Sequence, residues 1–168
     1  MLTITVFLNA YSAGKSGADM AFAQIAKRLK SYSLTVVTSR LGKTFCLQEK
    51  IKANYQITSE EKSFNFKNIL FIYFWRTIRA LSLKPVEIVW ATSDFFSDVI
   101  PAFIHKIIHP KTLWIQNIYH LIPRYRLAHY FLQKSSLFLI KKFADKIILD
   151  SQLLKNQLIN GKNCRRQN

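Results

Sequence analysis

The stretch V-E-I-V-W-A-T-S-D-F-F-S-D-V-I-P-A, residues 86–102, decides the fold of this chain. Its largely apolar run at 86–90 is too short for a helix, and turn-forming residues follow before a helical pattern begins behind Ser97. This order predicts a buried strand that leads into a helix, with Ser93 and Asp94 at the strand's carboxyl end. Because ligands of open α/β sheets bind in the crevice at that end, we expect both residues to border any functional surface.

The first forty residues predict a strand, a helix and a second strand. Leu2 to Leu8 and Leu34 to Thr38 are apolar and β-branched, as buried strands are. Between them, Ser16 is a helix N-cap, and Asp19 three residues later completes a capping-box pair. The helix that follows is expected to bury one stripe, formed by Phe22, Ile25, Ala26 and Leu29. Together these elements are a βαβ unit.

The same alternation continues to residue 160. We expect strands near 86–90, 112–116 and 146–149, and helices over 64–83, 98–108, 127–143 and 151–159. Residues 39–63 are polar and lysine-rich, which indicates an exposed excursion with a short strand near 55–58. The pattern predicts an α/β, Rossmann-like, mostly parallel sheet with helices on both faces. Residues 1–160 would form one domain, and residues 161–168 an unstructured tail.

The charge of the chain restricts its partners. Its 168 residues carry 25 Lys and Arg against 9 Asp and Glu, a formal charge of +16, which implies either nucleic acid or an anionic membrane surface. No apolar run is long enough to span a bilayer. Cys46 and Cys164 form no disulfide framework, which favours a reducing compartment. We therefore expect a cytoplasmic location, or a peripheral one on the inner face of the cell membrane.

The loop before the first helix contains Ala13-Gly14-Lys15-Ser16, which invites comparison with a P-loop. That motif needs a glycine where Asn9 stands, so an NTPase is disfavoured. A glycine loop at a helix amino terminus can still hold a phosphate. This is the use we predict for Gly14 and Gly17.

Two helices mix aromatic and basic residues, and either a core role or a membrane role fits them. In 64–83, one side would pack in the core through Phe66, Ile69, Leu70, Tyr73, Ile78 and Leu81. The other side would lie at lipid headgroups together with part of 127–143. The residues expected to face the membrane are Trp75, Arg76, Arg79, Lys134, Lys141 and Lys142.

The histidines suggest one ligand contact and no metal site. His105 and His109 have helical spacing but no accompanying glutamate, so we interpret them as structural. His120 follows the strand at 112–116, where its imidazole is placed to orient a ligand hydroxyl. The alternative for His120 is a local hydrogen bond in a loop.

Four segments resemble the amino-terminal half of GT-B glycosyltransferases of family 4. They are S-A-G-K-S-G-A-D at 12–19, A-T-S-D-F-F-S-D-V-I-P-A at 91–102, W-I-Q-N-I-Y-H-L-I-P at 114–123 and F-A-D-K-I-I-L-D-S at 143–151. The resemblance implies sugar transfer from a nucleotide-sugar substrate to a lipid-linked or cell-surface glycan, as in polysaccharide biosynthesis, with no cofactor and no metal.

The resemblance also assigns residues. Gly14 and Gly17 would face the donor diphosphate, while Ser93, Asp94 and His120 would line the acceptor cleft, with Asp94 and His120 as the catalytic candidates. Such enzymes bind the nucleotide mainly in a second domain, and this sequence ends where the crossing to it would begin. We therefore expect a truncated chain that is inactive alone and needs a carboxyl-terminal domain or subunit. The rival hypothesis is a non-enzymatic basic α/β module that binds nucleic acid or another anionic partner.

Overall fold

The computed structural model describes residues 2–11, 16–61, 69–81, 84–122 and 127–160. The strands in these ranges are β1 (Thr3–Leu8), β2 (Ser33–Thr38), β3 (Asn54–Ile57), β4 (Ile88–Ala91), β5 (Leu113–Ile118) and β6 (Lys146–Leu149). The helices are α1 (Gly17–Ala26), α2 (Arg40–Gln48), α3 (Ile69–Arg79), α4 (Phe96–Ile108), α5 (Leu127–Phe143) and α6 (Gln152–Asn160). The predicted tail at 161–168 lies outside the described residues.

The strands form a parallel sheet in the order β3-β2-β1-β4-β5-β6. In its central register, Val6 of β1 pairs with Val36 of β2 on one side and Trp90 of β4 on the other. Strands β2 and β3 lie on one side of β1, and β4, β5 and β6 lie on the other. The strand order therefore reverses at a switch point between β1 and β4. In open α/β sheets that switch point opens a crevice at the carboxyl ends of the strands.

The core has two parts, one on each face of the sheet. Ile4, Val6 and Leu8 of β1 contribute to the part that also contains residues of α1 and α2. Phe7 points the opposite way, into the part that also contains residues of α4, α5 and α6. This alternation follows from the two-residue period of a strand. The predicted sheet with helices on both faces is confirmed.

Helix α2 corrects the expectation that residues 39–63 form an exposed excursion. It begins behind Ser39, whose Oγ accepts a hydrogen bond from Gly42 N at 3.2 Å, and it buries Phe45 and Cys46. Gly42 permits its close packing on β2, because a Cβ there would lie 2.0 Å from Thr38 Oγ1. A short helix with a glycine in its first turn has a weak helical signal, which explains the error.

The buried faces of α1 and α3 also differ from the predictions. The Ser16–Asp19 capping box is present, but Ile25 is exposed and Ala23 is buried in its place. Helix α3 is turned so that Tyr73, Arg76 and Thr77 are buried, as is Ala80 just after the helix. Leu70, Ile78 and Leu81, predicted as core, are exposed, while Phe66 and the side chain of Ile69 lie outside the described residues.

Candidate functional site

A cleft of about 780 Å³ lies at the carboxyl ends of β1, β4, β5 and β6. It includes residues just after each of these strands, together with the first turn of α1. Among the predicted site residues, Gly17, Ser93, Asp94 and His120 all line it. Gly14 lies outside the described residues. The parallel sheet therefore brings together four predicted residues that are more than one hundred positions apart at the extremes.

The segment that follows β1 is fixed by a buried hydrogen-bond network around Asn9. Its backbone N donates to Asp98 Oδ1 at 2.6 Å, and its side-chain Nδ2 donates to Ser97 O at 3.3 Å. Its Oδ1 accepts from Thr58 Oγ1 at 2.8 Å. Asn9 is fully buried, so its side chain ties β1 to two neighbouring segments instead of leaving the space that a P-loop glycine would leave.

Arg76 holds the same segment from the opposite side and does not face a membrane. Its Nη1 donates to Asn9 O at 2.6 Å and Tyr11 O at 2.9 Å, and its Nε donates to Ser59 Oγ at 3.0 Å. Its side chain is fully buried and lies 3.5 Å from the Glu61 carboxylate. The prediction that Arg76 faces a membrane is therefore wrong, because its buried guanidinium donates to backbone carbonyls inside the domain.

Asp98 is the acidic counterpart of Arg76. Besides Asn9, it accepts a hydrogen bond from Ser93 Oγ at 2.6 Å. Burial raises the pKa of this carboxyl to about 7, although the Ser93 hydroxyl, the amides of Asn9 and Ala10 and the charge of Arg76 act in the opposite direction. Ser93 thus lines the cleft, but its hydroxyl donates to buried Asp98 and not to the cleft. Its contact therefore holds the turn between β4 and α4 in place.

Asp94 and His120 are joined through Gln133 of α5. The Gln133 amide nitrogen donates to Asp94 Oδ2 and, at 2.8 Å, to His120 O. Gln133 Oε1 accepts from Ile122 N at 2.6 Å. One buried amide therefore fixes the turn after β4 and the segment after β5 relative to each other.

The two predicted catalytic side chains differ in environment. Asp94 is 3% exposed, and burial raises the pKa of its carboxyl, while the Gln133 hydrogen bond and the nearby His120 lower it. His120 is exposed to the cleft. A carboxyl whose pKa is perturbed by burial beside a histidine in a cleft is typical of functional sites.

The amino terminus of α1 opens into the cleft. Ser16 Oγ accepts from Asp19 N at 3.2 Å, and Ser16 N donates to Asp19 Oδ2 at 2.9 Å. Gly17 lies at the first helical position, and a Cβ there would meet no atom within 4 Å. This helix end combines a positive dipole with open space, as an anion-binding helix terminus does.

Sequence reasoning missed the residues that hold the cleft in shape. Asp98 was assigned to the start of a helix and Arg76 to the surface, while Asn9 was considered only as a departure from a P-loop. Gln133 was not singled out, because an amide within a helical pattern carries no signal of its own. Their partners are distant in sequence, so only the fold reveals them.

The remaining residues expected at a membrane lie on the outer sides of α3 and α5. Trp75 and Arg79 are exposed, and the Arg79 guanidinium lies 5.1 Å from the centre of the Trp75 ring. Lys134, Lys141 and Lys142 are exposed on α5. Among the described residues, no helix has the length and apolarity needed to cross a bilayer.

The described residues offer no cluster of three His, Cys, Asp or Glu side chains that is suited to a metal ion. His105 is buried, and its Nε2 lies 3.0 Å from Lys84 O. Cys46 is a free thiol in the core, and burial raises its pKa to about 12.

Comparisons with known proteins support the fold. No family model matches the sequence, and no curated protein matches it. The structure is similar to HepE of Anabaena in complex with UDP and glucose, with a TM-score of 0.64 and 14% identity over 97% of this chain. HepE in complex with UDP gives a TM-score of 0.62 and the same identity and coverage. The likeness confirms the predicted Rossmann-like fold and its resemblance to GT-B proteins. The chain spans 42% of the length of either structure.

Proposed function

We propose that this chain forms the acceptor-side domain of a glycosyltransferase that uses a nucleotide-sugar donor. The observation that carries the proposal is the cleft at the switch point of the sheet. The amino terminus of α1, Asp94 and His120 all line it, in a fold shared with a protein that binds UDP and glucose. The nucleotide sugar is a substrate here, and the proposal requires no resident cofactor or metal.

The roles follow from the chemistry of each group. The amino terminus of α1, at Gly17, would approach the donor diphosphate, because the positive end of the helix dipole favours an anion. His120 would take the proton of the acceptor hydroxyl as its oxygen bonds to the sugar, the bond from sugar to diphosphate breaks and the nucleoside diphosphate leaves, since the imidazole is open to the cleft. Asp94 would stabilise the cation formed on His120. Gln133 would keep both residues at a fixed separation.

Turnover would need a second nucleotide-binding unit. The chain spans less than half of the structures it resembles, so a further domain or subunit would have to complete the donor site. We expect the 168-residue chain alone to bind the diphosphate weakly and to transfer little or no sugar. The acceptor would be a lipid-linked or cell-surface glycan.

A substitution at Gly17 tests the donor side of this proposal. Gly17→Asp adds a carboxylate at the first helical position, where the space is open and the helix dipole favours an acid, so the fold should be retained. Isothermal titration with UDP should show at least tenfold weaker binding than the unsubstituted chain. Thr44→Asp on the exposed side of α2 adds the same charge away from the cleft and should leave the affinity within about twofold.

Two results would count against the donor site. The first is no UDP binding by the unsubstituted chain at millimolar concentrations. The second is equal binding by Gly17→Asp and Thr44→Asp, which would place the diphosphate elsewhere.

The outer surface of α3 and α5 supports a peripheral location on the inner face of the membrane. Exposed Trp75 and Arg79, with three lysines on α5, combine aromatic and cationic contacts suited to anionic headgroups. Vesicles that contain phosphatidylglycerol should retain the chain at low salt and release it as salt increases. The double variant Trp75→Ser, Lys134→Gln should be retained less. Binding to neutral vesicles that equals binding to anionic ones would contradict the electrostatic part.

A further inference from the structure

A series of side-chain hydrogen bonds leads from the core to the functional cleft along β4 and β5. Trp90 Nε1 donates to Asn117 Oδ1 at 3.0 Å. Asn117 Nδ2 then donates to Tyr119 Oη at 2.7 Å. Trp90 and Asn117 are buried, and Tyr119 lines the cleft. The Tyr119 hydroxyl is therefore held by groups that the core keeps in place.

The Trp90 indole fixes the direction of both hydrogen bonds. An indole N–H can only donate, so the Asn117 atom that it contacts must be the carbonyl oxygen. The other atom of that amide is then the nitrogen, which donates to the Tyr119 oxygen. Because this oxygen already accepts a hydrogen bond from inside the domain, its own proton is directed elsewhere. Tyr119 is thus presented to the cleft as a hydrogen-bond donor.

Within the described part of the chain, the Tyr119 proton has only a distant acceptor. That acceptor is Ala18 O in the first turn of α1, at 3.5 Å, whereas O–H···O bonds are typically about 2.7–2.8 Å long. Ala18 and Tyr119 both line the cleft. An oxygen atom of a ligand bound between α1 and the end of β5 would be a closer and stronger acceptor.

The charges around Tyr119 favour a neutral ligand oxygen over an anion. Burial raises the pKa of Tyr119, and the charges of Asp19 and Asp150 raise it further, although the Asn117 hydrogen bond acts in the opposite direction. The hydroxyl therefore keeps its proton at pH 7. Asp19 and Asp150 also line the cleft, so a phosphate at this hydroxyl would meet two carboxylates. A sugar hydroxyl can instead accept from Tyr119 and donate to a carboxylate.

We propose that Tyr119 is a sugar-binding residue, whose hydroxyl donates to a hydroxyl oxygen of a neutral hexose and is positioned for this by Trp90 and Asn117. This inference rests on the proposed function and names the group of the substrate that this part of the cleft recognises. Tyr119 directly precedes His120, and its hydroxyl lies beside the first turn of α1. The hexose would therefore lie next to both the expected base and the expected diphosphate position.

Tyr119→Phe tests the contact, because it removes the hydroxyl and keeps the ring. In titrations followed by amide chemical shifts, glucose should bind this variant about three- to tenfold more weakly than the unsubstituted chain, as expected for the loss of one neutral hydrogen bond. UDP, which lacks the hexose, should bind both chains within about twofold. Tyr32→Phe is the matched control, because Tyr32 directly precedes β2 and so lies at the amino ends of the strands, away from the cleft. It should leave glucose binding unchanged.

Asn117→Asp tests the direction of the Tyr119 proton. A carboxylate keeps the shape of the amide but can only accept, so it would draw the Tyr119 proton away from the cleft. We expect glucose to bind this variant as weakly as it binds Tyr119→Phe, although the tyrosine is still present. Glucose binding equal to that of the unsubstituted chain would overturn the assignment of Tyr119 as a donor.

A set of monodeoxy glucoses gives a second test that leaves the core unchanged. If Tyr119 donates to one sugar hydroxyl, the analogue without that hydroxyl should lose less affinity, relative to glucose, in Tyr119→Phe than in the unsubstituted chain. The difference should be about threefold or more. Equal losses in the two chains for every analogue would show that the hydroxyl does not contact the sugar, and would overturn the inference.

UDP-glucose identifies which sugar is bound and separates this inference from the proposed function. Weaker binding of UDP-glucose to Tyr119→Phe, with UDP unchanged, assigns the contact to the donor sugar, and an effect on free glucose alone assigns it to the acceptor. If UDP binds at Gly17 but Tyr119→Phe weakens UDP itself, or weakens none of the three ligands, the inference is overturned and the transfer proposal stands. If glucose binds through Tyr119 while UDP does not bind the cleft, the sugar contact stands and its role in transfer is overturned.

Discussion

Arg76→Met is expected to be the most destabilising single substitution on α3. Arg76 is fully buried and donates to two backbone carbonyls, those of Asn9 and Tyr11. Methionine fills a similar volume but leaves both carbonyls without this donor and removes the charge near Asp98. An unsatisfied buried polar group costs about 1–3 kcal/mol, so the two carbonyls together cost about 2–6 kcal/mol. Removing one partner of a buried charged network costs about 3–5 kcal/mol, a value within the range obtained from the two carbonyls.

The assay is urea unfolding at pH 7.5, followed by far-ultraviolet circular dichroism. We expect the free energy of unfolding to fall by about 3–5 kcal/mol, with an unchanged dependence on urea concentration. If Arg76→Met does not fold, Arg76→Lys supplies the measurement, because it keeps the charge but cannot reproduce the planar set of donors. We expect it to be less stable than the original chain and more stable than Arg76→Met.

Arg79→Met is the matched control. Arg79 lies one turn further along α3, is exposed and contacts the Trp75 ring. Its removal should cost no more than about 1 kcal/mol. If Arg76→Met were destabilised by no more than this control, the guanidinium would not be stabilising the fold through the carbonyls after β1.

Three further substitutions test other parts of the structure. Gln133→Leu should raise the pKa of Asp94, because the variant loses the amide hydrogen bond that lowers this pKa. The pKa can be measured from the chemical shift of the Asp94 carboxyl carbon as a function of pH. An unchanged pKa would contradict the contact between Gln133 and Asp94. Gly42→Ala should reduce the free energy of unfolding by about 1–3 kcal/mol in urea titrations, because its Cβ would meet Thr38 Oγ1, whereas a neutral effect would contradict that packing. Asp98 should lower the free energy of unfolding as pH rises from about 4 to 7. The pKa of its carboxyl is 3.8 in the unfolded chain and about 7 in the folded one, so between these pH values only the folded state binds the proton. Asp98→Asn should remove this decline, and an identical pH dependence in both chains would count against the raised pKa.

The strands could be predicted because their signal is local. The run at 86–90 and the run at 146–149 are each too short for a helix and are bounded by turn residues, and both became strands close to those positions. Once the strands are parallel, their carboxyl ends must lie along one edge. The pattern therefore placed Ser93, Asp94 and His120 at the ends of strands, while their place in one acceptor cleft was implied by the resemblance to GT-B glycosyltransferases.

The inner face of α3 could not be predicted because its partners are distant in sequence. Arginine in a helix is usually a surface residue. The carbonyls that bind Arg76 lie 65 and 67 residues earlier in the chain. Because Arg76 donates to these carbonyls, its side of α3 faces the core, and Leu70 and Ile78 on other sides of the helix are exposed.

The positioning residues of the cleft were missed for a similar reason. Gln133 contacts the segments after β4 and β5, which are separated by 39 and 13 residues from it. An amide in an amphipathic helix gives no indication that it bridges two loops. Asp98 also looked like an ordinary acidic residue in a first helical turn, where the dipole alone would explain it.

The most direct test of the central claim is to map UDP and glucose on the nitrogen-15-labelled chain by amide chemical shifts. We expect UDP to shift the amides around Gly17, and glucose to shift those around Ser93, Asp94 and His120, with smaller changes elsewhere. Saturable shifts confined to that cleft would support a sugar-nucleotide site at the switch point of the sheet. Absence of shifts in the cleft at millimolar ligand, or shifts centred on another surface, would contradict it.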